Sequence, residues 1–228
     1  MNIHTTSLLA AGRKWGKAVV ALPLMLFAFL LLPASCSEES DEVEEYPNWE
    51  KTNTDYWNNL YAETTQRIAA GDSTWKIFKK WSLADTLHAA NTQYIVVQVL
   101  SEGTGGGCPL YTDSVRVHYT GHLLPSTSYS AGYEFDTSFT NGSTEETSAP
   151  AQFLVSTLTD GFATALQHMH IGDKWKVYVP ADLGYGSTGS GTTIPAYSVL
   201  VFDIQLVSYY RAGTDVPDFK AKQHWVFE

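Results

Sequence analysis

The sequence predicts an α+β fold: a curled, five-stranded antiparallel sheet, in effect a half-barrel, around one short helix, with a helical extension on its N-terminal side. Three observations carry this. Segments 93–100, 114–120, 151–156, 174–180 and 198–208 alternate apolar and polar residues with the period of a strand. Between two of them, residues 162–169 (Phe-Ala-Thr-Ala-Leu-Gln-His-Met) have helical character, ended by Gly172. One such helix cannot cover a flat sheet of five strands, so the sheet must curl around it.

Residues 1–35 read as an export signal. Arg13, Lys14 and Lys17 lead into an apolar run from Ala18 to Leu32, which breaks at Pro33 and is followed by the small residues Ala34 and Ser35. The run is shorter than the roughly 20 apolar residues of a membrane span. Leu32-Pro33-Ala34-Ser35-Cys36 resembles a bacterial lipoprotein cleavage box, although Pro33 departs from the usual aliphatic residue. The resemblance implies lipidation of Cys36 and an outer-membrane lipoprotein that faces the periplasm or the cell surface; ordinary secretion is the alternative. Several acyl chains on one cysteine anchor stably, where a single chain binds reversibly. With Cys36 lipidated, Cys108 has no partner within the chain, so no disulfide framework is expected.

Residues 36–47 form an acidic tether: Glu38, Glu39, Asp41, Glu42, Glu44 and Glu45 repel one another and stay solvated. The segment also resembles the acidic stretch behind the lipidated cysteine of some bacterial surface lipoproteins. The net charge of −10 argues against a nucleic-acid partner, which needs clustered Lys and Arg.

Residues 48–90 form a helical N-terminal extension. Trp49, Tyr56, Leu60, Tyr61 and Ile68 recur near helical spacing, with Asn53 or Thr54 as the N-cap and Gly71 as the stop. Trp75, Phe78 and Trp81 add an aromatic cluster. One or two helices are expected here, packed on the main domain or on a partner. In the main domain, residues 91–210, Val115, Val117 and Tyr119 oppose Arg116, His118 and Thr120, and Trp175, Val177 and Val179 oppose Lys174, Lys176 and Tyr178. Such a sheet has one buried and one wet face. Residues 211–228 are a polar tail that ends in Trp225-Val226-Phe227.

No nucleophile elbow, phosphate loop or zinc spacing is present. His168 and His170 lie two apart and cannot share a helix face, so no metal and no cofactor is expected. Asp113 and Asp182 are single carboxylates near strand ends, expected to serve turns or solvation.

What the chain does contain is an ordered set of short words: Val117-His118-Tyr119-Thr120-Gly121, Phe135-Asp136-Thr137-Ser138, Gly161-Phe162, Gly172, Leu183-Gly184-Tyr185-Gly186, Ile194-Pro195-Ala196 and Leu200-Val201-Phe202-Asp203-Ile204. One word alone is weak; the order is specific. The set resembles the FKBP family of peptidyl-prolyl cis/trans isomerases over residues 93–209, with ungapped spacing from Gly161 to Phe202. The resemblance implies the curled sheet already described and a proline pocket that acts on X–Pro bonds of envelope or secreted polypeptides. It implies Tyr119, Asp136, Tyr185 and Phe202 as catalytic residues and Phe135, Phe153, Leu158, Thr159, Phe162 and Ile194 as substrate-binding residues.

The sequence departs from the family pattern at several points. Phe162 stands where the pocket floor is usually Trp, Ala151 where one wall is usually aromatic, Thr159 where an aliphatic residue is usual, and Ser190 where many members have His. The loops at 125–134 and 138–150 are long. These departures imply weak binding of the family's macrolide inhibitors more than weak catalysis. Two other readings stay open: a catalytically weak binding module or chaperone, and an adhesion or assembly lipoprotein that works through an exposed apolar patch of Trp49, Trp57, Trp75 and Trp81.

Overall fold

The computed structural model describes residues 43–84, 86–140 and 143–219. The expected export signal, Cys36 and most of the acidic tether lie outside them, as does the end of the tail.

Two helices, α1 (Trp49–Ala69) and α2 (Asp160–Leu166), accompany seven strands. The strands are β1 (Trp75–Lys79), β2 (Tyr94–Ser101), β3 (Ser114–His122), β4 (Glu134–Thr137), β5 (Ala151–Leu154), β6 (Lys174–Val179) and β7 (Leu200–Tyr210). They form one antiparallel sheet in the order β1-β2-β6-β7-β3-β4, with β5 also paired to β3. The α+β class with an N-terminal helix is as expected, but the sheet has seven strands, not five. The two additions are short. β4 spans four residues, and β1, Trp-Lys-Ile-Phe-Lys, is half-buried at every position, which leaves little period-two contrast to read. The aromatic residues Trp75 and Phe78 therefore belong to an edge strand and not to a second helix.

α1 presents Trp49, Asn53, Trp57 and Thr64 to the interior, on one face at steps of four and seven residues. Neither Asn53 nor Thr54 caps it. The helix starts at Trp49, behind Asn48 in the left-handed region (φ 51°), so Asn53 lies one turn inside and is buried. At the other end Gly71 takes φ 91°, which glycine accepts without strain. Trp57 packs near Tyr61, and Tyr61 near Tyr94 of β2. Trp75 stacks on Tyr178 of β6 at 6.2 Å.

α2 is buried from Gly161 to Leu166. A Cβ on Gly161 would sit 2.3 Å from Cγ1 of Val179, so only glycine lets the helix approach β6 this closely. The chain after β1 locks α2 in place. The Trp81 backbone N–H donates to Thr164 Oγ1 at 3.1 Å, Trp81 Nε1–H donates to Asp160 Oδ1 at 3.3 Å, and Lys80 pairs with Asp160 at 2.7 Å.

The inner face of the sheet is apolar as predicted: Val115, Val117, Trp175, Val177, Val179, Ile204 and Leu206 are all buried. The other face of β3 is not wet. His118 is 5% exposed beneath Phe139 of the 138–150 loop, their rings stacked at 5.2 Å. Arg116 is buried too; it donates to the Tyr210 hydroxyl and the Pro217 carbonyl and lies over the ring of Phe219. A long loop and the first part of the tail cover the charged side that alternation assigned to water. Asp113, buried, accepts the Leu110 N–H at 2.7 Å and pairs with Arg211, a structural part in keeping with its turn position.

Candidate functional site

β3 is the axis of the site. It pairs with β7 on one side and with β4 and β5 on the other, so residues from four strands converge on it. Gly121 lies opposite Asp136 of β4 and Phe202 of β7. A Cβ at Gly121 would sit 2.6 Å from the Phe135 ring and 2.9 Å from that of Phe202, so the missing side chain is what lets these two rings meet. They do so edge-to-face, with centroids 5.5 Å apart. Phe162, at the start of α2, meets Phe202 at 5.0 Å and Tyr119 at 5.8 Å, both edge-to-face, and Tyr119 meets Phe153 of β5 at 5.6 Å. Edge-to-face pairing suits the ring quadrupoles and fixes each ring's direction.

These rings wall an open cavity of about 520 Å³. All ten residues singled out in the sequence line it: Tyr119, Asp136, Tyr185, Phe202, Phe135, Phe153, Leu158, Thr159, Phe162 and Ile194. They come from strands, from the turn into α2, from α2 itself and from the loop ahead of β7. Thr157, Gly191 and Thr193 also line it and were missed, and Ser190, noted only as a departure, joins them. Thr157 sits in a 3-10 turn after β5, and the period-two pattern stops before the loop that carries Ser190, Gly191 and Thr193, so nothing local placed them. The signal available was the glycine spacing: Gly186, Gly189 and Gly191 all take positive φ. Ser190 and Ile194 then pair across a narrow antiparallel bridge.

The polar chemistry of the cavity is small. The Tyr119 hydroxyl donates to Asp136 Oδ2 at 2.6 Å. Burial, then this bond and the carboxylate charge, push the Tyr119 phenol well above the ordinary tyrosine range. Tyr185 stands at the rim, 39% exposed, and is pushed upward as well, by burial first and then by Asp136. Both phenols therefore remain hydrogen-bond donors across the neutral range. No lysine, arginine, histidine or cysteine lines the cavity. Among the described residues no group of His, Cys, Asp or Glu is arranged to hold a metal ion, and no helix is long and apolar enough to cross a membrane. What remains is an oily cup with a few oriented donors, suited to an apolar ring and its flanking carbonyls.

Trp49 and Trp57 are buried, and Trp75 and Trp81 pack against the core. They form no exposed patch of the kind an adhesion surface needs.

Comparison with known proteins agrees with this geometry. Residues 108–207 match the FKBP-type peptidyl-prolyl cis-trans isomerase family. The chain is 39% identical over 110 residues to the FKBP-type 22 kDa peptidyl-prolyl cis-trans isomerase of Escherichia coli, covering 48% of this chain and 47% of that protein. It is 39% identical over 116 residues to the outer membrane protein MIP of Legionella longbeachae, covering 51% and 44%. It is 36% identical over 105 residues to FK506-binding protein 2 of Kluyveromyces lactis, covering 45% of this chain and 67% of that one. The matched part spans about half the length of the first two relatives.

Proposed function

Since this chain belongs to the family of FKBP-type peptidyl-prolyl cis-trans isomerases, we propose that it catalyses cis/trans isomerisation of X–Pro bonds in polypeptides of the cell envelope. Rotation about a peptide bond meets a barrier of about 18–20 kcal/mol, because the nitrogen lone pair conjugates with the carbonyl. Twisting removes that conjugation and reduces the dipole of the amide. The twisted state thus loses less on leaving water than the planar one, and an apolar cup favours it. Phe153, Phe162 and Phe202 hold the prolyl ring. The Tyr185 hydroxyl and the backbone N–H of Thr159 grip the carbonyls that flank it, so the side chain at 159 is free to vary. Asp136 orients Tyr119 through their hydrogen bond. The step needs no proton transfer, covalent intermediate or cofactor.

The observation that supports this reading most is the meeting of ten residues, spread from Tyr119 to Phe202, in one open, aromatic-walled cavity. In this reading residues 91–210 are the isomerase domain, 48–90 the extension that packs on it and 211–228 the tail. Residues 1–35 are a signal peptide, and 36–47 tether the domain to an outer membrane through lipid on Cys36, facing the periplasm or the surface. The name of the Legionella relative points to the same membrane. A protease-coupled assay on an X–Pro peptide, with protein lacking residues 1–36, tests the activity; a rate equal to the uncatalysed one ends the proposal. Labelled palmitate incorporated by the full chain and lost in Cys36→Ala tests the anchor.

A further inference from the structure

We propose that Trp49 and Asn53 of α1 are positioning residues for the wall of the pocket formed by the loop ahead of β7. The proposal rests on the isomerase reading above. Residues 185–199 supply Tyr185, Ser190, Thr193 and Ile194 to the cavity. The loop is tied to itself by Gly189 N–H to the Tyr185 carbonyl at 3.1 Å, Ser190 N–H to the Ile194 carbonyl at 2.9 Å and Tyr197 N–H to the Gly186 carbonyl at 2.8 Å. Any force that fixes residues 197–199 therefore fixes the wall as well.

Tyr197 takes φ 62°, a left-handed conformation that a bulky side chain rarely adopts. Such a residue persists where its surroundings over-determine it. Here α1 holds the two residues that follow Tyr197. Trp49 Nε1–H donates to Ser198 Oγ at 2.8 Å, and Ser198 Oγ–H donates to the Pro195 carbonyl at 2.7 Å. The Val199 N–H donates to Asn53 Oδ1 at 2.7 Å, while Asn53 Nδ2–H donates to the Trp49 carbonyl at 2.7 Å. Asn53 is 1% exposed and Ser198 3%. A buried amide on the apolar face of a helix is costly unless each polar atom is satisfied, and both atoms of this one are used on the clamp.

The segment just ahead of α1 grips a second loop. The Glu45 carboxylate accepts the Ser128 N–H at 3.0 Å and the Ser126 hydroxyl at 2.5 Å, in the connection that leads to Phe135 and Asp136. Tyr46 packs edge-on against Trp49 at 4.7 Å. Residues 45–53 thus hold the approaches to both β4 and β7, and the clamp sets the distance across the cup.

A wall that touches substrate in the ground state governs KM more than kcat. Kinetics of Asn53→Ala and of the milder Trp49→Phe are compared with the unaltered protein lacking residues 1–36, normalised to folded protein. The expected result is a rise in KM of about threefold to tenfold, with kcat within about twofold. Amide hydrogen exchange should quicken at Tyr197 and Val199 but not along β3. Combining Trp49→Phe with Ser198→Ala should add little to Ser198→Ala alone, since that change already removes the bond from Trp49 together with the one to the Pro195 carbonyl. Should Asn53→Ala not fold, Trp49→Phe alone decides. An unchanged KM, with or without a loss in kcat, overturns the inference whatever the exchange shows. Absence of turnover in the unaltered protein instead removes the isomerase reading, and the inference with it.

Discussion

Two aromatic clusters share this domain and do opposite things. Phe135, Phe153, Phe162, Phe202 and Tyr119 stand edge-to-face around an open cup. Trp57 packs beside Tyr61, Trp75 stacks on Tyr178 and Phe78 stacks on Trp175, each against the core. The residue types are similar; the support differs. In the first cluster each ring is carried by a different element, and Gly121 keeps the space between β4 and β7 clear. In the second, α1 lies over neighbouring strands and fills the space itself. Aromatic content alone therefore does not make a site; a backbone that holds rings apart does.

The largest effect that would break this contrast comes from the open cluster. Replacing Tyr185→Phe together with Phe202→Leu should lower kcat/KM for an X–Pro peptide about 100-fold, equivalent to about 2.7 kcal/mol. Leucine is chosen because Phe202 is also core, 5% exposed, and truncation to alanine would cost stability. Wild-type turnover in that variant would show that the cup is not the site. In the closed cluster, Trp75→Ala should remove about 2 kcal/mol of stability, from lost apolar burial and its stacking on Tyr178, and leave turnover per folded molecule intact. Urea denaturation alongside the peptide assay reads both, and a large catalytic loss would erase the distinction drawn above.

A smaller effect sits on the covered back of β3. Burial lowers the pKa of His118 from 6.5, so the folded state disfavours the imidazolium. Stability is fully present above the unfolded value and is lost as pH falls through the lowered folded one. His118→Gln should flatten this acid limb in denaturation measured from about pH 7 to about pH 4; an unchanged slope would assign the limb to other groups. The smallest effect is no effect. Tyr119 and Tyr185 both titrate above the ordinary tyrosine value, so kcat/KM should be flat from about pH 6 to about pH 9. A bell-shaped profile there would mean that the reaction depends on the protonation state of groups titrating in that range.

Much of this architecture was legible beforehand. Five of the seven strands announced themselves because alternation records which side chains leave water, a local property. β1 did not, because it is half-buried throughout; β4, four residues long like β5, was the other strand left unread. Seven of the ten pocket residues stand in the ordered words; Phe153, Leu158 and Thr159 came only with the resemblance that those words carry, and Thr157, Gly191 and Thr193 carried no comparable pattern.

Sequence alone determined the class of fold and the supply of rings for the cup, because hydrophobic periodicity and residue type are written along the chain. Tertiary structure decided where the polar atoms went. Asn53 reads as an N-cap but bonds Val199, 146 residues away, and His118 reads as exposed but lies under Phe139. The reason is that a hydrogen-bond partner or a covering loop comes from distant sequence, and its choice is made only once the whole domain has closed.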